Sequence, residues 1–269
     1  MANTSEIPQA YAAPGPVPQS NGLKWFLAVI IGLIVIVGFC ITMMYFSSDL
    51  THPGVKVIRM EGALSTGDFS DGSSVGSEYV GNQLRDAADD PMVEAIVLRV
   101  DSPGGTPAAA EEIISDMEYA KTKKPVVISM GDMATSAAYY VSAHGDEIYA
   151  NPDTFTGGIG VIWTFSDISE WMDHEGYNQT VVKSGAKKDM GSTARSLTED
   201  EREYAQGIVN DSFDEFIGDV TSQRAIARSD IDDGRVIRGT KALKLNLVDK
   251  LGNLNDAIEG AKNLADARK

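Results

Sequence analysis

The stretch EAIVLRVDSPGGTPAAAEEIISDMEYAKTKKPVVISM, residues 94 to 130, contains two apolar runs on either side of an amphipathic segment. EAIVLRV (94 to 100) and PVVISM (125 to 130) have the length and composition of buried strands. The segment between them begins with Thr106 as the expected N-cap and Pro107 at the first helical position, and glutamates follow in its early turns. This order predicts a strand, a helix and a second strand.

The same alternation continues along the chain. VKVIRM (55 to 60) predicts another strand, and short apolar runs alternate with amphipathic stretches after residue 54. Such alternation is typical of βα units around a largely buried sheet, so we predict an α/β domain.

A second helix is predicted near residue 200. Thr198 and Glu201 have the T-x-x-E spacing of a capping box. One apolar stripe follows at helical spacing, formed by Tyr204, Ile208, Phe213, Phe216 and Val220. We interpret this stripe as a packing surface.

An uncharged apolar run lies near the N-terminus. Residues 25 to 46 carry no charge, and these 22 residues match the length that a helix needs to cross a ~30 Å hydrocarbon core. No A-x-A cleavage site follows, so we expect an uncleaved transmembrane helix. Residues 1 to 24 have the composition of a disordered tail. We expect residues 47 to 54 to form a linker and residues 55 to 269 to form the folded domain.

The few charges beside this run predict its orientation. Lys24 and the amino group precede it, and the positive-inside rule then places the N-terminus in the cytoplasm. The domain would lie on the extracytoplasmic side of the cell membrane.

Composition excludes several classes of function. A formal net charge of −16 argues against nucleic acid as a partner. Cys40 is the only cysteine and lies in the apolar run, so the domain has no disulfide, cysteine metal site or cysteine nucleophile. No H-x-x-x-H or clustered His/Cys spacing occurs, and we expect neither a metal nor another cofactor.

A Ser-His hydrolase would need one of three histidines. His52 adjoins the apolar run, His174 lies in a polar segment, and His144 is eight residues beyond Ser136. None of the three is a convincing base for Ser136 by its spacing along the chain. Spacing alone does not exclude a histidine that the fold brings to Ser136. The sequence also lacks a G-x-S-x-G elbow.

A serine and a group of lysines are the remaining candidates. Ser136 follows a predicted strand and opens the segment SAAYYVSA, so it is either a helix N-cap or a nucleophile. VVKSGAKKDM (181 to 190) places Lys183, Lys187 and Lys188 around a glycine turn after a predicted apolar strand. Burial and adjacent positive charge lower a lysine pKa, which a general base requires, but exposed loop lysines are the alternative.

Backbone N–H groups could supply an oxyanion hole. DSPGGTP (101 to 107) is a strand-to-helix turn in which Gly104 and Gly105 permit close approach of a substrate, and Ala137 could add its N–H. An ordinary turn would have the same sequence.

Five blocks occur in one order along the chain: VDSPGG, MGDMATSAAYYVSA, NPDTFTGGIGVI, VKSGAKKD and DGRVIRGTKALKLNLVDKLG. Together they resemble the signal peptide peptidase A (SppA) family of membrane-anchored serine proteases, in its short, single-domain form. The resemblance runs from about residue 55 to residue 252, behind one N-terminal span.

This resemblance implies a fold and a set of site residues. The family has a ClpP/crotonase-like fold of repeated ββα units and a Ser-Lys dyad, which would be Ser136 as the nucleophile and Lys188, 52 residues later, as the base. The oxyanion donors would be the backbone N–H groups of Gly105 and Ala137, with Gly104 beside them.

Two positions depart from the family pattern. Ser136 is followed by Ala137 and Ala138 where relatives often have two glycines. Gly158 stands where many relatives have a serine that hydrogen-bonds the catalytic lysine, so a water or Thr156 would have to orient Lys188.

The resemblance also implies substrates and partners. Relatives form rings or domes, and in some short forms a neighbouring subunit contributes the lysine, so we expect a homo-oligomer that degrades signal peptides and other apolar peptides at the membrane. Three alternatives stay open: a related protease acting on a stomatin-like protein, a crotonase-type acyl-CoA enzyme, and a non-catalytic scaffold. The first usually has further C-terminal spans, none of which follows in this sequence, and Ser136 with Lys188 argues against the last.

Overall fold

The computed structural model describes residue 15, residues 22 to 47 and residues 52 to 269; within the N-terminal helix, side chains are described for residues 22 and 24 to 40. Most of the predicted tail and linker therefore lies outside the described residues. The chain divides into two compact units, Met1–Thr51 and His52–Lys269.

A helix occupies the N-terminal apolar run. Helix α1 is Gly22–Ser47, so the prediction of a helix over residues 25 to 46 is confirmed. Its large described apolar side chains are exposed, from 37% at Ile30 to 74% at Trp25. Among the residues that the structure describes, no helix is both long and apolar enough to cross a membrane, and the transmembrane part of the prediction is not confirmed.

The second unit alternates strands and helices. Its strands are β1 (Val55–Glu61), β2 (Ala63–Ser65), β3 (Ser74–Gly76), β4 (Ala95–Ser102), β5 (Val126–Thr135), β6 (Glu147–Ala150), β7 (Phe155–Gly157), β8 (Val236–Arg238) and β9 (Lys250–Leu251). Its helices are α2 (Ser77–Asp89), α3 (Pro107–Lys121), α4 (Ala137–Ala143), α5 (Ser169–His174), α6 (Glu199–Gln223), α7 (Gly239–Lys244) and α8 (Leu254–Ala267), with a 3-10 turn at Arg228–Asp230.

The main sheet is mostly parallel. Its strand order is β1-β4-β5-β6-β9, and each neighbouring pair is parallel. The end of β5 also pairs in parallel with β7, which pairs antiparallel with β8. The prediction of an α/β domain is confirmed, as are the three predicted strands, now β1, β4 and β5.

Both faces of the central strands are covered, which explains their continuous apolar sequence. Ile96 and Leu98 of β4 belong to the larger core cluster, which includes buried residues of α2 and α3. The alternate residues Ala95 and Val97 pack in a second cluster with α8. Because successive side chains of a strand point to opposite faces, both sets must be apolar.

The two predicted helix starts are confirmed. Ala109 N–H donates to Thr106 Oγ1 at 3.4 Å, and Pro107 begins α3. At α6, Glu201 N–H donates to Thr198 Oγ1 at 3.2 Å, and Thr198 N–H donates to Glu201 Oε2 at 2.9 Å.

The predicted apolar stripe of α6 is only half correct. Phe216 and Val220 are buried, whereas Tyr204 is 50% and Ile208 38% exposed. The second half of the helix packs on α4, where the Phe216 and Tyr140 ring centroids are 4.7 Å apart. In the first half, the covered side carries the small Ala205 instead of the two larger residues.

The apolar strand predicted before Lys183 is not formed. The described chain has no strand between β7 and β8, and Val182 is 96% exposed. A strand needs a neighbouring strand for its backbone hydrogen bonds, and none of the described strands pairs with this run. The expectation of lysines placed after a buried strand was therefore wrong.

Candidate active site

The site begins at the glycine turn after β4. Gly104 N–H donates to Ser102 Oγ at 3.1 Å, and Leu64 N–H donates to Gly104 O at 2.9 Å. Thr106 N–H in turn donates to Leu64 O at 3.0 Å, so the turn is bonded to β2 on both sides of Gly105. A Cβ on Gly105 would overlap the Leu64 backbone, which explains why this position is glycine.

This turn contacts the chain at the end of β5. Gly104 has φ +103°, and a Cβ there would lie 2.8 Å from Ser136 Cβ and 2.9 Å from Thr135 O. Thr135 Oγ1 also donates to Pro103 O at 2.9 Å. The two turns therefore hold each other in place, and only glycine leaves room for Ser136.

Ser136 has a strained backbone. Its φ of 54° and ψ of −127° lie where a residue with a Cβ is rarely found. Hydrogen bonds on both sides hold this conformation: Ser136 N–H donates to Gly157 O at 2.9 Å, and Tyr140 N–H donates to Ser136 O at 2.9 Å. Strained residues of this kind cluster at active sites.

The Ser136 hydroxyl is not a helix cap. Ser136 precedes α4, but its side chain makes no capping hydrogen bond. Within the described chain the hydroxyl has no hydrogen-bond partner at all. Of the two interpretations left open by the sequence, N-capping is therefore not supported.

Two cavities meet at Ser136. One, of about 230 Å³, is lined by Ser136, Ala137 and Gly105 together with residues of α3 and α6. The other, of about 660 Å³, is lined by Ser136 and Gly158 and extends toward residues 232 to 236. Ser136 and residues 160 to 162 line both cavities. The two cavities therefore leave room for an extended peptide on either side of the serine.

The structure does not place Lys188 in these cavities. Lys188 is exposed, lies in a turn in which its N–H donates to Gly185 O at 3.1 Å, and lines neither cavity beside Ser136.

The other two candidate lysines of this turn are bound to carboxylates. Lys183 Nζ donates to Asp189 Oδ1 at 2.5 Å, and Lys187 Nζ contacts Asp200. Lys188 has no hydrogen-bond or ion-pair partner for its ammonium group in residues 52 to 269. It is thus the candidate whose amine is free to act on another group.

An arginine fixes the turn that carries Lys188. The Arg195 guanidinium donates to both Asp189 oxygens at 2.8 and 3.1 Å and to both Glu201 oxygens at 2.7 and 2.8 Å. Hydrogen bonds from Arg195 and then Lys183 hold the pKa of Asp189 well below its usual range, and Arg195 lowers that of Glu201 to about 2. The turn is therefore tied to the first turn of α6.

The sequence profile of peptidase family S49 matches residues 118 to 268, which is more than half of the chain. The chain belongs to peptidase family S49. The matched residues include Ser136 and Lys188, and the resemblance to SppA proteases is confirmed.

Individual relatives of this S49 chain carry protease names. Protease 4 of Salmonella typhi is 34% identical over 84% of this chain and 38% of its own length. The chloroplastic serine protease SPPA of Arabidopsis thaliana is 28% identical over 81% of this chain and 32% of its own length. The chain thus spans about a third of the length of each of these two relatives.

A solved structure resembles the fold. A membrane-bound stomatin-specific protease superposes with a TM-score of 0.50 at 16% sequence identity, covering 75% of this chain and 81% of the other. At this identity the likeness concerns the fold alone, which supports the α/β assignment.

Of the two departures from the family pattern, Ala137 and Ala138 are buried, and Gly158 adjoins Ser136. Gly158 has φ +61°, and its N–H donates to Arg235 O at 3.0 Å. A Cβ there would lie 3.4 Å from Ser136 N, so this position does adjoin the serine. The buried Thr156 donates its hydroxyl proton to Ala134 O at 2.7 Å and not to Lys188.

His144 has a different role from that of a catalytic base. It is buried, and its Nε2 lies 2.8 Å from Asp219 Oδ2 on α6, while Nδ1 lies 3.2 Å from Glu118 Oε1 on α3. Both ring nitrogens are thus occupied, and His144 joins two helices. His174 is largely exposed, with its side chain 83% accessible.

Sequence reasoning missed the residues that position the site. Ser102 supports Gly104, and Thr135 ties β5 to the glycine turn. The available signal was their position, directly before the PGG turn and directly before Ser136, where a hydroxyl can bond the backbone of a neighbouring turn.

The strain at Ser136 predicts an effect on stability. Ser136→Gly should have a free energy of unfolding about 1 kcal/mol higher than Ser136→Ala, because glycine adopts the observed φ without a Cβ clash. Urea unfolding followed by circular dichroism measures the difference.

Ser142 is a matched control, at which the difference in free energy of unfolding between the glycine and alanine variants should have the opposite sign. It lies inside α4, where glycine should be less stable than alanine by about 0.5–1 kcal/mol. A Ser136→Gly variant no more stable than Ser136→Ala would contradict the strained backbone.

Proposed function

We propose that the protein is a serine endopeptidase that uses a Ser-Lys dyad on the ClpP/crotonase-like fold implied by its family resemblance. One observation carries the proposal. Ser136 is held in a strained backbone, has an unbonded hydroxyl, and opens into a cavity that Gly105 and Ala137 also line. These are the parts that acyl transfer requires: a nucleophile that a substrate can reach and nearby backbone donors.

The reaction would proceed through an acyl-enzyme. A neutral Lys188 accepts the proton of Ser136 Oγ, and Oγ attacks the peptide carbonyl carbon. The N–H groups of Gly105 and Ala137 donate to the resulting oxyanion. The intermediate then expels the amine, which takes the proton from Lys188, and water hydrolyses the acyl ester in a second round.

The base is proposed to come from a neighbouring copy of the chain. Lys188 is exposed and lines neither cavity beside Ser136. The part of the chain between β7 and β8, which contains Lys188, also exposes large apolar side chains. Ile162 is 90%, Trp171 55% and Val182 96% exposed. A homo-oligomer would cover such a surface and could bring one copy's Lys188 to another's Ser136.

The proposed substrates are apolar peptides in extended form, including signal peptides left in the membrane. Support comes from the two cavities on either side of Ser136, whose shared wall includes Val161 and Ile162. An extended peptide would place alternate side chains in such a cleft.

Helix α1 is proposed to anchor the protease in the cell membrane, with the catalytic unit on the extracytoplasmic side. The uncharged run and its exposed apolar side chains, such as Ile31 at 60% and Ile34 at 64%, support an apolar environment for this helix.

Hydrolysis of a fluorogenic peptide by the full chain in mild detergent tests the dyad. Ser136→Ala and Lys188→Ala should each lower kcat/KM by at least about a thousandfold. Removing either member of a catalytic dyad costs about as much as removing both, because the two residues act in the same step. Lys187→Ala, which removes a lysine bound to Asp200, serves as the matched control and should retain activity. Full activity in Lys188→Ala would refute this assignment of the base.

Mixing the two inactive variants tests where the base comes from. If the dyad forms between copies, a mixture of Ser136→Ala and Lys188→Ala chains contains sites with both residues intact and should regain activity. A mixture of exchanging subunits that stays inactive would place the dyad within one chain.

Membrane fractionation tests the anchor. After expression in bacteria, the full chain should stay in the membrane pellet through a carbonate wash, and a variant lacking residues 22 to 47 should move to the supernatant. Full-length protein in the supernatant would contradict the proposed anchor.

A further inference from the structure

The smaller cavity beside Ser136 combines apolar walls with two carboxylates. We call it the acidic cavity. Its apolar wall includes Pro107 and Ala108 of α3 and Phe216 of α6. The same two helices contribute Glu111 and Glu215.

Neither carboxylate is neutralised by a cation of the described chain. Glu215 has no hydrogen-bond or ion-pair partner there. Glu111 accepts one hydrogen bond, from Tyr140 Oη at 2.6 Å. Many other carboxylates of this unit are paired, such as Asp189 with Arg195 and Asp116 with Arg85. The acidic cavity is therefore a place where negative charge is left unbalanced.

Tyr140 orients Glu111 without removing its charge. Burial, and then the hydrogen bond to Glu111, raise the pKa of the Tyr140 phenol well above its usual range, so it stays a donor. Tyr140 also packs on Phe216, with ring centroids 4.7 Å apart. The carboxylate and the apolar wall are thus positioned by the same side chain.

The position of the cavity determines which part of a substrate would enter it. Gly105 and Ala137, the proposed oxyanion donors, line it together with Ser136. A carbonyl held by those donors brings the side chain of its own residue next to the same wall. A volume of about 230 Å³ admits a long side chain.

We propose that the acidic cavity binds the lysine or arginine side chain of the peptide residue whose carbonyl Ser136 attacks. The inference rests on the proposed function and narrows its substrate class. The aliphatic part of such a side chain would pack on Ala108 and Phe216, while its charged end reaches Glu215 and Glu111.

The same charges disfavour a wholly apolar side chain at this position. Both glutamates are exposed, and an apolar group in the cavity would displace part of their water without supplying a positive charge, which costs free energy. A cation of the same length restores their interactions. The cavity therefore discriminates by charge more than by size.

Matched peptides test this selectivity on the full chain in mild detergent. Fluorogenic peptides that differ only at the attacked residue carry lysine or its uncharged analogue norleucine, and arginine or its uncharged analogue citrulline. We expect kcat/KM to be at least about tenfold higher for each charged member. Mass spectrometry of the products identifies the bond that is cleaved.

Two variants assign the effect to the cavity. Glu215→Gln should lower the lysine-to-norleucine ratio of kcat/KM about tenfold. Glu203→Gln removes an exposed charge from the same helix outside the cavity and should leave the ratio unchanged. Equal cleavage of lysine and norleucine peptides, or a ratio unaffected by Glu215→Gln, would overturn the inference.

Binding separates this inference from the proposed reaction. Fluorescence anisotropy with the Ser136→Ala chain should show tighter binding of the lysine peptide than of the norleucine peptide. If no peptide is hydrolysed by the unchanged protein but this preference persists, the proposed function fails while the cation-binding cavity stands. Equal binding of the two peptides would overturn the cavity's role.

Discussion

The contact between the glycine turn after β4 and Ser136 after β5 is the constraint on which the site depends. The strands are parallel neighbours, and Ser102 pairs with Ala134 near their ends. The segments that follow β4 and β5 therefore leave the sheet at the same edge, where ligands of parallel α/β sheets bind. Gly104 leaves no space for a side chain between them, since a Cβ would lie 2.8 Å from Ser136 Cβ.

This constraint connects packing with chemistry. Thr135 and Gly157 bond the backbone around Ser136 from two directions, which maintains a conformation that a residue with a Cβ would otherwise leave. The serine hydroxyl makes no capping hydrogen bond to α4, and Ser136 lines the cleft between the helices. The walls of that cleft come from α3 and α6, so the helices that cover the sheet also determine what the site can bind.

The fold was largely predictable because its signals are local. The strands of residues 94 to 130 have apolar runs buried on both faces, and α3 and α6 begin at recognisable caps. The strain at Ser136 was not predictable, because it depends on the hydrogen bond to Gly157 and on the close approach of Gly104, both of which are tertiary contacts. The same is true of His144, which two distant carboxylates engage. The run before Lys183 resembles a strand in sequence but has no pairing partner in the described chain.

Covalent labelling of the full chain tests the central claim, that Ser136 is the nucleophile, most directly. The protein would be incubated with an acylating peptide p-nitrophenyl ester, and the adduct located by peptide mass mapping. The account predicts one acyl group on the peptide that contains Ser136, and none in the Ser136→Gly variant, which keeps the backbone conformation. Equal acylation of that variant, or an adduct on another residue that accounts for the activity, would contradict it.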